Sequence, residues 1–236
     1  MKNTFGIACL IFTSIAFSQK DDKPNHPVKE LKMIEEIKAD FDNDGKIDKA
    51  IHYQGLKNYS YSGKNSEDDT IHLIKVEFSN KKVVETKPMK LESGKIKMSY
   101  NEKLNELSII LSPEDEDGMI AGRFPATKKI ILKYDNKISN FIAIKSESDS
   151  LNLIIETDFI KKTRKYNDQE DGYNALINDE KGNDVWLNKV NYKENITTKN
   201  LKFTDIDLKT FEMVSEKSKG FEAYVKKEMK NSANRK

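Results

Sequence analysis

Apolar and polar residues alternate through most of the middle of the chain. The clearest case is Thr70–Phe78, where His72, Ile74, Val76 and Phe78 fall on one face. A period of two is typical of a half-buried β-strand. Similar short segments that end at turn residues predict strands at Lys49–Tyr53, Lys95–Tyr100, Glu106–Leu111, Lys129–Tyr134, Ser139–Lys145 and Leu151–Thr157. Weaker segments lie at Leu176–Ile177, Val185–Leu187, Val190–Tyr192 and Leu201–Phe203.

The connections between these segments are short, and Asp179–Asn183 has the composition of a hairpin loop. Short connections imply antiparallel pairing, because parallel strands need long crossovers. The pattern therefore predicts a mainly β fold of antiparallel sheets, arranged like a propeller or like a sandwich.

Two segments follow a helical period instead. In 28–39, the residues Val28, Leu31, Ile34 and Ile37 recur every three positions, which favours a short helix, although Ile34 and Ile37 also fit a strand. Near the C-terminus, apolar residues recur at steps of three or four, which predicts an amphipathic helix over 205–230. Thr204 and Asp207 have the spacing of its capping box, and 231–236 is expected to be a disordered tail.

The N-terminus has the three parts of a secretory signal peptide. Met1–Asn3 is positively charged, Thr4–Phe17 is uncharged and apolar, and small residues stand at Ala16 and Ser18. The apolar run is shorter than the roughly 20 residues that span a bilayer, which disfavours a membrane anchor. A lipid anchor on Cys9 is a second alternative, which the short apolar run before it disfavours.

This pattern predicts a signal peptide at 1–18, a flexible leader at 19–27 and a single β-rich domain at 28–204. The protein is then exported, either periplasmic or secreted, with no transmembrane segment after cleavage. The only Cys of the chain, Cys9, lies in the predicted signal peptide. The mature chain would therefore have no Cys, which suits an oxidising compartment.

The net charge of the chain argues against nucleic-acid binding. The chain carries 41 Lys+Arg against 39 Asp+Glu, a formal net charge of +2, whereas a dedicated nucleic-acid binder has a clear basic excess. We therefore expect no nucleic-acid partner. The sequence also shows no nucleophile elbow, phosphate-binding loop or dinucleotide fingerprint.

One segment carries candidate chemistry. Asp40–Asp48 reads D-x-D-x-D-G-x-x-D, in which alternate carboxylates can fold around a hard cation and Gly45 permits a sharp turn. We expect a structural calcium ion, because a flexible cage of oxygen ligands suits calcium better than magnesium. The predicted ligands are the side chains of Asp40, Asp42, Asp44 and Asp48 and the carbonyl of Lys46. Ile47 is expected to tether the loop to the core, and the alternative is a solvated acidic turn.

The same residues resemble the loop of FG-GAP and VCBS-type repeats, which occur in secreted and cell-surface β-proteins. The match covers 39–51, with Phe41 and the alternating residues after Asp48 as its distinguishing features. The resemblance implies a structural calcium ion and a strand after the loop. An EF-hand fits less well, since its twelfth position needs a bidentate Glu and holds Ile51 here.

A looser resemblance extends to periplasmic calcium-binding proteins similar to lysozyme inhibitors. It is carried by the paired segments Ile130–Tyr134 and Phe141–Ile144, and it implies a compact β-fold with one such loop.

Other candidates favour ordinary structural roles. His52 and His72 could be cross-strand neighbours that bind a transition metal, but no Cys or third His supports them. Asn167–Gly172 and Pro113–Gly118 are acidic or polar loops without a full ligand pattern. The basic run Lys161–Lys165 is expected to protect an edge strand.

The sequence thus favours an exported, non-enzymatic β-domain that is stabilised by one calcium ion and binds an unidentified protein or cell-envelope ligand. Two alternatives stay open. One is a glycan- or peptidoglycan-directed hydrolase with paired carboxylates. The other is a purely structural envelope protein.

Overall fold

The computed structural model describes residues 31–56, 70–91, 94–113, 127–150, 153–168, 175–178, 184–187 and 189–233. Antiparallel strands dominate these residues and form two large sheets. The first sheet contains β1 (Lys32–Ala39), β2 (Asp48–Leu56), β3 (Thr70–Glu77), β4 (Val83–Glu85) and β5 (Met89–Leu91). Its order is β1-β2-β3-β4, and β5 also pairs with β3. The prediction of a mainly β, antiparallel fold is confirmed.

The second sheet has seven strands and is built mostly from hairpins. It contains β6 (Lys95–Asn101), β7 (Glu106–Ser112), β8 (Thr127–Asp135), β9 (Asn140–Ser150), β10 (Leu153–Asp158), β11 (Thr163–Asp168) and β14 (Asn191–Asn195). Their order is β14-β11-β10-β9-β8-β7-β6. A separate pair, β12 (Ala175–Asn178) and β13 (Asp184–Leu187), flanks the predicted hairpin loop at 179–183 and is antiparallel.

The two sheets pack face to face, because both have one apolar face. Residues of the first sheet such as Ile74 and Val76 share a buried cluster with Leu107, Ile109 and Leu132 of the second. Phe41, Phe78, Phe141 and Phe203 fill the same core, where the Phe141 ring meets Phe41 edge-on, stacks on Phe78 and lies tilted against Phe203. The arrangement is sandwich-like.

Two helices cover the rest of the inner face of the seven-stranded sheet. α1 (Leu208–Ser215) contributes Phe211 and Val214 to the main core. α2 (Lys219–Ala233) builds a second cluster, in which the ring of Phe221 stacks on Tyr166 with centroids 4.0 Å apart. The C-terminal region is helical, but the prediction of a single helix over 205–230 is wrong in detail. α1 ends at Ser215, and α2 begins at Lys219.

The helix boundaries also correct two other expectations. Asp207 is the N-cap of α1, and its carboxylate accepts the backbone N–H of Thr210 at 3.0 Å. The Thr210 hydroxyl in turn accepts the backbone N–H of Asp207 at 3.2 Å. The capping box therefore pairs Asp207 with Thr210, and the predicted pairing with Thr204 is wrong. The expected disorder from 231 onwards is wrong for 231–233, which belong to α2.

The favoured N-terminal helix is wrong, and the strand alternative is correct. β1 pairs with β2, and Ile37 and Ala39 point into the core while Leu31 and Ile34 are exposed. The three-residue spacing therefore coincides with no buried face. The pairing with β2 instead satisfies the backbone of this segment with interstrand hydrogen bonds.

Three strands lack a prediction of their own, and one predicted strand is wrong. β4 and β5 have three residues each, too few for a period to show. β11 lies in the basic run, where Arg164 is buried and the strand is paired on both sides, so it is not an edge strand. Leu201–Phe203 forms only one isolated bridge before a short 3-10 helix at Phe203–Asp205.

Some sequence expectations lie outside the described residues. They are the signal peptide at 1–18, the leader at 19–27, residues 114–118 of the acidic turn, residues 169–172 of the polar loop, the hairpin loop at 179–183 and residues 234–236 of the tail. Among the described residues, neither helix has the length and apolar character that crossing a bilayer requires.

Candidate metal centre

The candidate calcium loop connects β1 to β2 at one end of the sandwich. Its tight course needs left-handed backbone at Asn43, with φ of 60°, and at Gly45, with φ of 83°. Asn and Gly are the residues that adopt this conformation most readily. The Asp40 carboxylate stabilises the turn by accepting the backbone N–H groups of Asp44 at 3.0 Å and Gly45 at 2.8 Å.

Three of the predicted ligands converge. Asp40, Asp42 and Asp48 each place one carboxylate oxygen within 4.8 Å of the other two. Partial burial raises the pKa of Asp42 above its ordinary value, and the negative charge of Asp48 adds to this effect. Like charges at this distance repel, and a divalent cation between them would remove that repulsion. The donors are all oxygen, which is the ligand type of hard cations such as calcium.

Asp48 is the buried anchor of the cluster. It is 1% exposed, and its two carboxylate oxygens accept backbone N–H groups from Phe41 at 3.0 Å and from Ser79 at 2.8 Å. Ser79 follows β3, so this carboxylate ties the loop to the turn between β3 and β4. No feature of the sequence around Ser79 predicts this contact, because it depends on how the strands pair.

Asp44 takes a different position from the other aspartates. Its carboxylate accepts the hydroxyl of Ser79 at 3.0 Å and the backbone N–H of Lys46 at 2.9 Å. It does not belong to the group of three converging carboxylates. The Lys46 Nζ lies 4.0 Å from the same carboxylate. The roles of Asp44 and of the Lys46 carbonyl as calcium ligands stay predictions.

Phe41, and not Ile47, attaches the loop to the core. The Phe41 ring is fully buried and contacts the rings of Tyr100 and Phe141 with centroids 5.1 and 5.8 Å away. Ile47 is 63% exposed, so its predicted tethering role is wrong. Asn105 secures the loop further by donating its amide to the Phe41 carbonyl at 3.3 Å.

The loop is followed by a strand and not by the helix of an EF-hand. β2 begins at Asp48, and Ile51, which stands at the twelfth loop position, pairs with Glu36 and Lys75 on the neighbouring strands. Ile51 has no carboxylate, and its side chain is buried. The twelfth position therefore supplies no ligand of the EF-hand type.

The two histidines lie toward the opposite end of the space between the sheets. His52 faces Ile74 and His72 faces Gln54, so they are diagonal neighbours and not directly opposed. Their rings stack, and the Nε2 of His52 and the Nδ1 of His72 share a hydrogen bond of 2.9 Å. Both side chains are buried, which lowers both pKa values, that of His72 to about 4. A neutral, hydrogen-bonded pair follows, in line with the structural role that the sequence favours.

Comparison with known protein families, with curated proteins and with solved structures found no match to the chain.

Proposed function

We propose that the protein is an exported, non-enzymatic β-domain in which one calcium ion rigidifies the loop between β1 and β2. The observation that carries this proposal is the convergence of the Asp40, Asp42 and Asp48 carboxylates within 4.8 Å. Convergent carboxylate oxygens are the donor type that a hard cation binds, and this supports calcium over a solvated acidic turn. The domain would then bind a protein or a component of the cell envelope.

The position of the loop supports a structural role for the ion. Asp48 already joins the loop to the β3–β4 turn through Ser79, and Phe41 joins it to the core between the sheets. A cation held by Asp40, Asp42 and Asp48 would lock these connections together. Ligands that bind only the folded state stabilise it in proportion to the logarithm of their concentration over Kd.

Titration calorimetry and thermal unfolding test the calcium site. We expect purified protein to bind calcium at one site, and its melting temperature to rise with calcium and fall with chelator. Asp42→Asn should abolish both effects. Asp135→Asn is the matched control, because Asp135 lies in an exposed turn where its carboxylate accepts the backbone N–H of Lys137. Wild-type protein without a calorimetric signal for calcium would contradict the proposal.

The hydrolase alternative is weaker on the described residues. Glu147 and Glu156 face each other on β9 and β10 and line a cavity of about 320 Å³. A general acid of this kind needs an apolar, enclosed setting. Glu156 is exposed, and the Glu147 carboxylate lies 3.8 Å from the Lys129 Nζ. This directly opposed pair therefore lacks the environment that the general acid of a glycosidase needs.

A further inference from the structure

Polar side chains interrupt the apolar inner face of the first sheet at the end opposite the candidate calcium loop. Elsewhere on the same two strands this face carries apolar residues of the main core such as Ala50 and Ile74. At this end the alternation places His52 and Gln54 of β2 and His72 of β3 on that face. The space between two packed sheets is normally filled by apolar side chains, so this polar group needs a reason of its own.

These polar residues line an open cavity of about 560 Å³ between the first sheet and β6. His52 and His72 form part of its wall, together with Glu35 of β1. Glu35 is the residue directly opposite His52 in the pairing of β1 with β2. Two imidazoles and a carboxylate, which are ligand types of transition metals, therefore share one cavity.

The structural role of the histidine pair leaves one of its ring nitrogens unexplained. The Nδ1 of His52 is buried and has no hydrogen-bond partner in the part of the chain that the structure describes. His52 itself is 1% exposed. An unpaired polar group in such a position costs about 1–3 kcal/mol. A cost of this kind is expected where a side chain serves a ligand besides its packing role.

The facing nitrogens of the pair are nearly at the spacing of two ligands on one ion. The Nε2 of His52 and the Nδ1 of His72 are 2.9 Å apart. Zinc–nitrogen bonds of about 2.0–2.1 Å at a tetrahedral ion put two imidazole nitrogens roughly 3.3 Å apart. A separation larger by roughly 0.4 Å would let an ion replace the hydrogen-bonding proton, which moves to the remote nitrogen of its own ring.

The charged groups around the cavity permit a cation. The Glu35 Oε2 accepts the backbone N–H of Met98 at 2.9 Å, and Glu35 does not converge with the two imidazoles within 4.8 Å. Its carboxylate would therefore reach the ion through a water molecule. Lys95 and Lys97 also line the cavity, but they are exposed and alternate with the inward side chains of β6, so water screens their charge.

We propose that the Nε2 of His52 and the Nδ1 of His72 bind a divalent transition-metal ion of the zinc class, with Glu35 holding a water ligand of that ion. Nitrogen ligands distinguish this site from the acidic loop, because imidazole suits zinc and copper whereas carboxylates suit calcium. The site does not depend on the calcium ion of the proposed function.

Titration calorimetry with Zn²⁺ tests the proposal on the full chain in excess calcium. All samples carry Cys9→Ser, because Cys9 is the only thiol of the chain. We expect one zinc site. His52→Gln and His72→Gln should each weaken zinc binding at least about 100-fold, and Glu35→Gln should weaken it about tenfold. His26→Gln is the matched control, since it removes the one histidine outside the pair and should leave the affinity unchanged.

Electron paramagnetic resonance of bound Cu²⁺ tests the ligands without changing the pair. His26→Gln leaves His52 and His72 as the only imidazoles of the chain. Spin-echo spectra of Cu²⁺ on this variant should show the remote nitrogens of two imidazoles. Spectra with oxygen ligands alone, or with a single imidazole, would overturn the site. This measurement does not require the His52 and His72 variants to fold.

The remaining outcomes separate the two ions. Wild-type protein without saturable zinc binding contradicts the histidine site. Zinc binding that persists in both histidine variants but disappears in Asp42→Asn assigns the ion to the acidic loop and also contradicts the proposal. Zinc binding in a protein that binds no calcium supports the histidine site and overturns the calcium ion of the proposed function. An affinity unchanged by Glu35→Gln overturns the role given to Glu35.

Discussion

The buried carboxylate of Asp48 accepts the backbone N–H of Ser79 at 2.8 Å, which joins the loop before β2 to the turn after β3. The other oxygen of the same carboxylate accepts the backbone N–H of Phe41 at 3.0 Å. Asp48 therefore stabilises the fold whether or not a cation is bound. Asp40 and Asp42 accept backbone N–H groups only within the loop, whereas Asp48 is buried and also binds a residue outside it.

This difference predicts effects of very different size for two substitutions in chelator. Asp48→Ala leaves two backbone donors without their partner and should lower the free energy of unfolding by about 2–5 kcal/mol. Asp42→Ala removes a repelling charge but also the exposed 3.2 Å hydrogen bond from the Asp44 N–H, so the two effects oppose each other and the change should be less than about 0.5 kcal/mol. Urea denaturation measures both values. Equal losses for the two variants would contradict the distinct anchoring role of Asp48.

The histidine pair predicts a pH dependence of stability. The pKa of His72 falls from an ordinary 6.5 to about 4 on folding, mainly because of burial and secondarily because of His52. Between these two values the unfolded chain binds more protons than the folded one. Stability should therefore be complete above about pH 6.5 and decline toward pH 4, by up to about 3 kcal/mol for this group.

Urea titrations between these pH values measure that decline. Replacing His52 and His72 together by Gln should flatten the curve in this range. His26→Gln, which removes the histidine outside the pair, serves as control and should preserve the slope. A double variant that keeps the full wild-type slope would show that other groups produce it.

Gly220 predicts a substitution that departs from ordinary helix propensity. A Cβ at this second position of α2 would lie 2.5 Å from the hydroxyl of Tyr192 and 2.8 Å from the Glu194 carboxylate. That carboxylate also accepts the Ser218 hydroxyl at 2.8 Å and the Tyr166 hydroxyl at 3.1 Å. Gly→Ala in a helix usually stabilises by about 1 kcal/mol, but here the side chains must shift and their hydrogen bonds weaken.

We expect Gly220→Ala to destabilise the protein by about 1–2 kcal/mol in urea denaturation. Ala223→Gly at an exposed position of the same helix should show the ordinary propensity cost of about 1 kcal/mol. A stabilised Gly220→Ala variant would mean that Tyr192 and Glu194 yield without loss.

Arg164 predicts a large effect from a residue in the basic run. Its guanidinium donates to the Glu216 carbonyl at 3.1 Å, the Met213 carbonyl at 3.5 Å and the Thr157 hydroxyl at 3.0 Å. These contacts hold the end of α1 on the sheet, where a cation also suits the helix dipole. Arg164→Met should cost about 2 kcal/mol or more.

Lys165→Met is the matched control, because Lys165 is the next residue and is exposed on the other face of β11. It should change the free energy of unfolding by less than about 0.5 kcal/mol. Equal effects of the two substitutions would contradict the role of Arg164 as the contact between sheet and helix.

The strands could be predicted where their period is long enough to show. Thr70–Phe78 and Lys95–Tyr100 alternate clearly, because one face of each strand is buried and the other is solvated. β4 and β5 could not be predicted from the sequence, because three residues are too few to show an alternating pattern. The sequence favoured a helix in place of β1, because Leu31 and Ile34 have helical spacing. Both residues are exposed, so their spacing reflects no buried helical face.

By itself, the sequence determined the β class and the acidic loop, because alternation and carboxylate spacing are local properties of the chain. Only the tertiary structure decided which aspartates converge, because Asp44 turns to Ser79, a residue 35 positions away. It also decided that Phe41 is buried in place of Ile47. Both outcomes depend on strand pairing, which brings Ser79 and Tyr100 next to a loop that lies far from them in the chain.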